Sequence, residues 1–198
     1  MSKEKRREEL LAAARRVFAE RGFHEAKVGE IAAQANVAKG TVYLYFPDKR
    51  SIFVELIDNL FVRLSAAILR VDTEGDVVAQ VKHNIRAVLG VFIDDPDTMR
   101  MLFAHASAVD PAFSQKIESF YEGLKLMLGE SLEEGQQLGI VADGDARLYA
   151  TFTLGALKEI LVEASTHPER RSREQIVEAV FQLLQRGYLR VPLGAQMS

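Results

Sequence analysis

Cysteine is absent from the 198 residues, which excludes disulfides, a thiolate nucleophile and any Cys-ligated zinc site. Long hydrophobic runs are missing too. None approaches the ~18 apolar residues that a membrane-spanning helix needs, so no bilayer crossing is expected. The opening stretch, residues 1–9, has neither the apolar centre nor the small-residue cleavage site of a secretory leader, and a soluble cytoplasmic protein is the expectation. There is no convincing strand alternation, no internal repeat and no low-complexity tract. The Glu-x-x-His pair of helical metal enzymes is missing as well: the residues three before His24, His83, His105 and His167 are Arg21, Gln80, Leu102 and Ala164. No Ser-His-Asp grouping or glycine-rich phosphate loop stands out. No catalytic residue, metal ligand or cofactor is therefore expected.

What is present is an apolar, evenly charged chain. At 48% hydrophobic and 27% charged it is too apolar for a disordered polymer. It is long enough for one compact unit or two small ones, burying roughly 70% of the unfolded surface. The net charge of −3 hides a split. Residues 1–50 hold 11 Lys and Arg against 7 Asp and Glu, a local +4, and the remainder is −7. A basic front end suits a polyanionic partner, although a solvated charged helix reads the same way.

Helical periodicity runs through the chain. Leu10, Leu11, Ala14, Val17 and Phe18 share one helical face, and that helix is expected to stop near Gly22, in a left-handed conformation. Ile52, Phe53, Leu56, Ile57, Leu60, Phe61, Leu64 and Ile68 form a longer stripe. Val77, Val78, Val81, Ile85, Val88, Leu89 and Phe92 form another. Pro96 and Pro111 each suit the first turn of a new helix. Further helices are expected from Phe113 to about Gly139, from about Asp145 to Ala164, and from about Ser172 to Gly187. The reading is all-α, with about nine helices.

Residues 27–46 hold the most informative pattern. Val28, Ile31, Ala32 and Ala35 line one face of a short helix. Asn36 follows, the non-glycine type that best tolerates a left-handed backbone. Val37 reads as a core plug, and a second helix is expected from about Ala38 to Phe46. This is a helix-turn-helix pattern. At 100° per residue, Val42, Phe46 and Ala38 point inward, while Gly40, Thr41, Tyr43 and Leu44 point outward. An uncharged outward face is odd for a solvated helix and sensible for one lying in a DNA major groove. There Gly40 permits close approach, the Thr41 and Tyr43 hydroxyls reach bases or phosphates, and Leu44 meets a thymine methyl. Lys39 and Lys49 bracket the helix as phosphate contacts. The plainer alternative is a core hairpin with solvated lysines.

These residues resemble the TetR family of one-component transcriptional repressors. The resemblance rests on Gly22-Phe23, on Val28-Gly29-Glu30-Ile31-Ala32 and on the unbroken run from Lys39 to Lys49. It implies a helix-turn-helix DNA-binding domain over 1–48 and a larger helical ligand-binding and dimerisation domain over 49–198. It also implies operator contacts at Lys27, Lys39, Gly40, Thr41, Tyr43, Tyr45 and Lys49. The chain departs from the usual pattern at Ala26 and Lys27, where a capping Thr or Ser is common. It departs again at Asn36 for Gly, Ala38 for Ser and Leu44 for His.

Beyond residue 50, apolar residues exceed what one helical face can hide internally. A two-fold, four-helix interface between two copies is the preferred reading, through Tyr149, Phe152, Leu157, Ile160, Val177, Val180, Phe181 and Leu184. Dimerisation would require a palindromic operator on double-stranded DNA. Candidate ligand lining comprises Phe92, Met99, Leu102, Phe103, Phe113, Phe120, Tyr121 and Phe152, with His83, Asn84, Arg86 and His105 as polar neighbours. Aromatics at helical spacing are more often ordinary core, and a lone histidine more often hydrogen-bonded structure than a ligand contact. Residues 22–28, the Tyr43-Leu44-Tyr45-Phe46 run and the Glu134–Ile140 segment before Asp145–Leu148 look like the fatty-acid-degradation repressors, which release DNA on binding long-chain acyl-CoA. That likeness implies a hydrophobic effector of the acyl-CoA kind, with Arg86 or Arg100 meeting a phosphate, and the net −7 of this region argues mildly against an anion. A lipophilic drug or another hydrophobic metabolite is the alternative effector. A helical dimeric structural protein, or an enzyme, without DNA binding is the alternative of another class.

Overall fold

A computed structural model describes residues 2–104 and 111–191, with no side-chain description for 103, 104 and 111–113. Among these residues every named element is a helix. The helices are α1 (Lys3–Glu25), α2 (Val28–Gln34), α3 (Lys39–Tyr43), α4 (Lys49–Ala67), α5 (Val77–Ile93), α6 (Pro96–Met99), α7 (Pro111–Gln137), α8 (Ala146–Thr166) and α9 (Arg173–Gly187), with a π-helical turn at Arg100–Ala104 after α6. One isolated antiparallel bridge, Val141 to Leu189, is the β pairing present among them. The all-α expectation of about nine helices holds.

The punctuation follows from local chemistry. Ser2, Asp76, Asp95, Asp145 and Ser172 each accept a first-turn backbone N–H of the helix they precede, satisfying donors that the helix cannot. Pro96 and Pro111 open α6 and α7, where a missing N–H costs nothing. Gly22 breaks α1 at φ 75°, ψ 160°, a conformation that is essentially confined to glycine. Gly139 also lies at positive φ, 72°, just beyond α7.

The chain forms two compact units: residues 1–62 with 95–120, and residues 63–94 with those from 121 onward. In this division α4 stays with α1–α3 as far as Val62. In the first unit Phe18, Phe23 and Phe53 form a ring cluster with centroids 5.3–6.0 Å apart. Leu10, Ala14, Ile31, Val42, Phe46 and Ile52 are buried beside them. α1 packs on α2, on α6 and on the π-turn, and Arg15 pairs with Asp95 at 2.6 Å. In the second unit α5 packs on α8 and α9. Charged pairs stitch α5 to α9: Lys82 to Glu178 at 2.6 Å, Arg86 to Glu174 at 2.7 Å, and Arg173 to Asp94, just past the end of α5. No described helix is long and apolar enough to cross a membrane.

Candidate nucleic-acid interface

The helix-turn-helix is built as its sequence dictates. Asn36, at φ 53°, is the one non-glycine residue with positive φ among the described residues. Its tight turn lets Val37 N–H reach the Ala32 carbonyl at 2.9 Å. Ala32 is buried, and Val37 is half-buried rather than a full plug. α2 starts without a side-chain cap, as the Lys27 substitution implies. Glu30 compensates in part by accepting the Lys27 N–H at 2.9 Å, and its carboxylate suits the positive end of the helix dipole.

α3 is shorter than expected, five residues rather than a helix from Ala38 to Phe46. Ala38 is its N-cap, with extended backbone (φ −68°, ψ 146°). The 100° rule does not reach such a residue, and Ala38 is exposed instead of buried. Val42 and Phe46 are fully buried and anchor the helix. The opposite side faces solvent: Lys39 and Gly40 are exposed, Tyr43 is 47% exposed and Leu44 is 78% exposed, while Thr41 and Tyr45 are half-buried. A side chain at Gly40 would meet nothing within 4 Å, so the fold itself has no need of glycine there. Lys39 leans over the Tyr43 ring at 6.0 Å. Lys27 is exposed at the start of α2. The arrangement can insert an uncharged ridge into a groove and neutralise phosphates beside it.

Lys49 is the exception among the expected contacts. Its ammonium donates to the carbonyls of Phe23 (2.8 Å), His24 (2.7 Å) and Ala26 (3.2 Å), which accounts for all three of its protons. It also sits 4.9 Å from the centre of the Phe23 ring. In this structure Lys49 is committed to the protein's own backbone rather than presented to phosphate.

Sequence reasoning overlooked Arg7. Its guanidinium binds Glu55 on α4 through two nitrogens, the Nε contact being 2.6 Å, and gives a third hydrogen bond to the Tyr45 carbonyl at 3.1 Å. It also stacks 4.4 Å from the Phe46 ring centre. The hydrogen bond to Glu55 lifts the Arg7 pKa above its already high value. These partners lie 38 and 48 residues away, so no local pattern could have revealed them.

The expected ligand lining does not converge in one unit. Met99 and Phe120 are buried in the first, with Phe120 edge-on to Phe61 at 6.3 Å. Phe92 is buried in the second, where Tyr121 is half-buried and its phenol is pushed up to about 12 by that burial. Phe152 is 65% exposed and His83 is exposed, so neither lines an enclosed site. Arg86 is taken by Glu174, and Arg100 pairs with Asp97 at 3.5 Å. His105 lies outside the described residues, as do the side chains of Phe103 and Phe113. A cavity of about 310 Å³ does exist in the second unit, but it is lined by other residues: Ile160, Glu163, Ala164, His167, Arg170, Arg171, Ile176 and Ala179.

The residues expected at a dimer face fall into different environments. Leu157, Val177, Val180 and Phe181 are buried within their own chain, so they are core and have nothing left to bury against a second copy. Tyr149 stacks on Tyr188 with centroids 4.9 Å apart, and Tyr188 shares a 2.8 Å hydrogen bond with Thr153. Ile160 and Leu184 are half-buried. On α8 and α9 the large apolar side chains that remain exposed are Leu148 and Phe152 on α8, with exposed Gly155 one turn further, and Leu183 on α9.

Comparison with known proteins agrees with this geometry. The family model of bacterial regulatory proteins, tetR family, matches residues 10–56, which span most of α1, all of α2 and α3, and the first turns of α4. The fatty acid metabolism regulator protein of Bacillus subtilis is 27% identical over 184 residues, covering 90% of this chain and 93% of the relative. The uncharacterised HTH-type transcriptional regulator YdgC of Bacillus subtilis is 33% identical over 139 residues, 67% of each chain. Among solved structures, the transcriptional regulator FadR from Bacillus subtilis in complex with stearoyl-CoA superposes with a TM-score of 0.75 at 25% identity, over 89% of this chain and 96% of that one. The helix-turn-helix, its outward ridge and these likenesses lead to one conclusion: the chain belongs to the tetR family of bacterial transcriptional regulators.

Proposed function

We propose that this protein is a ligand-responsive regulator that binds a palindromic operator as a homodimer, in the cytoplasm, and leaves it when a hydrophobic effector of the long-chain acyl-CoA class binds. The observation that carries the DNA part is the ridge on α3, where Gly40, Thr41, Tyr43 and Leu44 lie opposite buried Val42. An exposed tyrosine and leucine side by side on an uncharged helix face suit a surface that a partner covers. Lys27 and Lys39 flank the ridge as phosphate contacts, and Thr41, Tyr43, Leu44 and Tyr45 supply the reading surface. No reaction is catalysed in this reading. The functional division falls after Asp48, where the reading head ends.

Leu148, Phe152 and Leu183 form the face that meets the second copy. Pairing sets the two α3 helices about one DNA turn apart. Only five residues, 44–48, separate the end of α3 from the start of α4, so a ligand that tilts α4 moves the head. A coupling of ~1–3 kcal/mol would change operator affinity by about 5–150-fold.

The acyl-CoA class is supported by the relatives: one is a fatty acid metabolism regulator, and another was solved with stearoyl-CoA. Arg86 and Arg100 pair with Glu174 and Asp97, exposed pairs that a headgroup phosphate would have to displace. A panel of thermal melts with acyl-CoAs of increasing chain length, beside cationic dyes, tests this. At a hundredfold excess over Kd, a ligand adds ~2.7 kcal/mol, or about 5–10 °C for a domain of this size. A rise graded with chain length supports the reading. A response to the dyes alone transfers it to lipophilic drugs.

A further inference from the structure

We infer that Lys49 and Arg7 are positioning residues for DNA binding: two cationic clasps that tie α1 to α4 near opposite ends and hold α3 at its reading angle without touching DNA. The inference deepens the operator-binding reading above and rests on it.

One clasp runs from the start of α4 to the end of α1. Lys49 Nζ gathers the carbonyls of Phe23, His24 and Ala26 at 2.7–3.2 Å and lies over the Phe23 ring. These carbonyls follow directly on the break at Gly22, where the helix can no longer satisfy its own backbone acceptors. A single ammonium satisfies three of them, and a cation is the favoured charge at a helix C-terminal end. Ala26 also immediately precedes Lys27, the N-cap of α2. The clasp therefore fixes the entry to the reading unit.

The second clasp runs the other way. Arg7, near the start of α1, forks onto Glu55 in α4 and reaches the Tyr45 carbonyl while stacking on Phe46. Tyr45 and Phe46 directly follow the C-cap of α3. A five-residue helix makes too few hydrogen bonds to hold its own orientation, so its exit needs an outside hold. Arg7 supplies it with the bidentate geometry that only a guanidinium has. The α2–α3 unit is thus gripped where it begins and where it ends, by side chains belonging to the two helices that frame it. Base edges are read by hydrogen bonds of fixed reach and direction, so a displaced α3 loses them.

A phosphate role and a positioning role for Lys49 make opposite forecasts. In the DNA-free wild-type protein, amine acetylation followed by mass spectrometry should modify Lys49 at least fivefold more slowly than exposed Lys39. Adding DNA should further protect Lys39 but not Lys49. Lys49 as reactive as Lys39, and protected by DNA alone, would overturn the clasp. This comparison needs no mutant, and the free-protein arm stands even if the chain bound no DNA. The salt series tests binding itself, and absence of salt-dependent DNA binding by wild type would sink the operator reading instead. In that series Lys39→Ala should lower the slope of log affinity against log salt by ~1. Lys49→Met and Arg7→Met should leave the slope within about 0.3 of wild type while reducing operator affinity about tenfold or more and random-duplex affinity less than threefold. Arg7→Lys should fail to restore operator affinity, since it lacks the fork. Loss of about one unit of slope in Lys49→Met, with operator and random DNA weakened alike, would contradict the inference.

Discussion

Gly40→Ala should stabilise the protein and damage its function. Gly40 lies inside α3, its backbone is not in the positive-φ region, and an added Cβ would meet no atom within 4 Å. Nothing in the fold opposes the methyl group. Glycine in a helix costs about 0.5–1 kcal/mol relative to alanine through chain entropy. α3 is only five residues long and position 40 lies in its first turn, so the lower end applies. About 0.5 kcal/mol corresponds to a rise of ~1–2 °C in Tm for a protein of this size. On DNA the same methyl stands on the ridge that enters the groove. If Gly40 is the point of closest approach, Ala should cost about 1.4 kcal/mol or more, a tenfold loss of operator affinity. Differential scanning fluorimetry and a fluorescence-anisotropy titration on one preparation read both quantities. A variant that is more stable yet binds the operator as wild type does would refute the close-approach argument.

Other substitutions probe the remaining parts. Gly22→Ala should destabilise the first unit by about 1–3 kcal/mol, because φ 75° with ψ 160° suits no residue with a Cβ; an unchanged urea midpoint would contradict this. Phe152→Glu should leave the subunit folded, since Phe152 is 65% exposed, but weaken self-association by about 2 kcal/mol or more, roughly thirtyfold, as read by sedimentation equilibrium. Tyr121→Phe should flatten the alkaline loss of stability. Burial raises the Tyr121 phenol from 10 to about 12, so the phenol holds its proton better in the folded state. Its contribution is intact below pH 10 and disappears as pH climbs through about 12. Equal slopes of stability against pH for wild type and variant between 10 and 12 would count against that assignment.

How much was legible in the sequence depended on how local the cause was. Helix ends at Gly22, Pro96 and Pro111, and the left-handed turn at Asn36, follow from the chemistry of single residues, and the structure has each of them. The outward ridge of Tyr43 and Leu44 followed from a 100° period because Val42 fixed the phase. The same rule failed at Ala38, whose extended backbone lies outside the helix it caps. The partners of Lys49 and Arg7 were invisible for another reason. A lysine beside a reading helix suggests phosphate, and only folding brings three carbonyls from 23–26 residues away onto its ammonium. Apolar spacing marks core and interface alike: Val177 and Phe181 share a stripe, and both are buried within their own unit. Leu148 and Leu183, exposed and apolar, were distinguishable only after burial was known.

The central claim is that the α3 ridge reads duplex sequence, and selection from a random duplex library by the wild-type protein tests it most directly, with Tyr43→Ala run in parallel. The account predicts enrichment of a two-fold symmetric site by the wild type, with half-sites about 10 bp apart, and collapse of that enrichment in the variant despite retained binding to bulk DNA. Failure of the wild type to enrich any sequence, or the same site emerging undiminished from Tyr43→Ala, would contradict it.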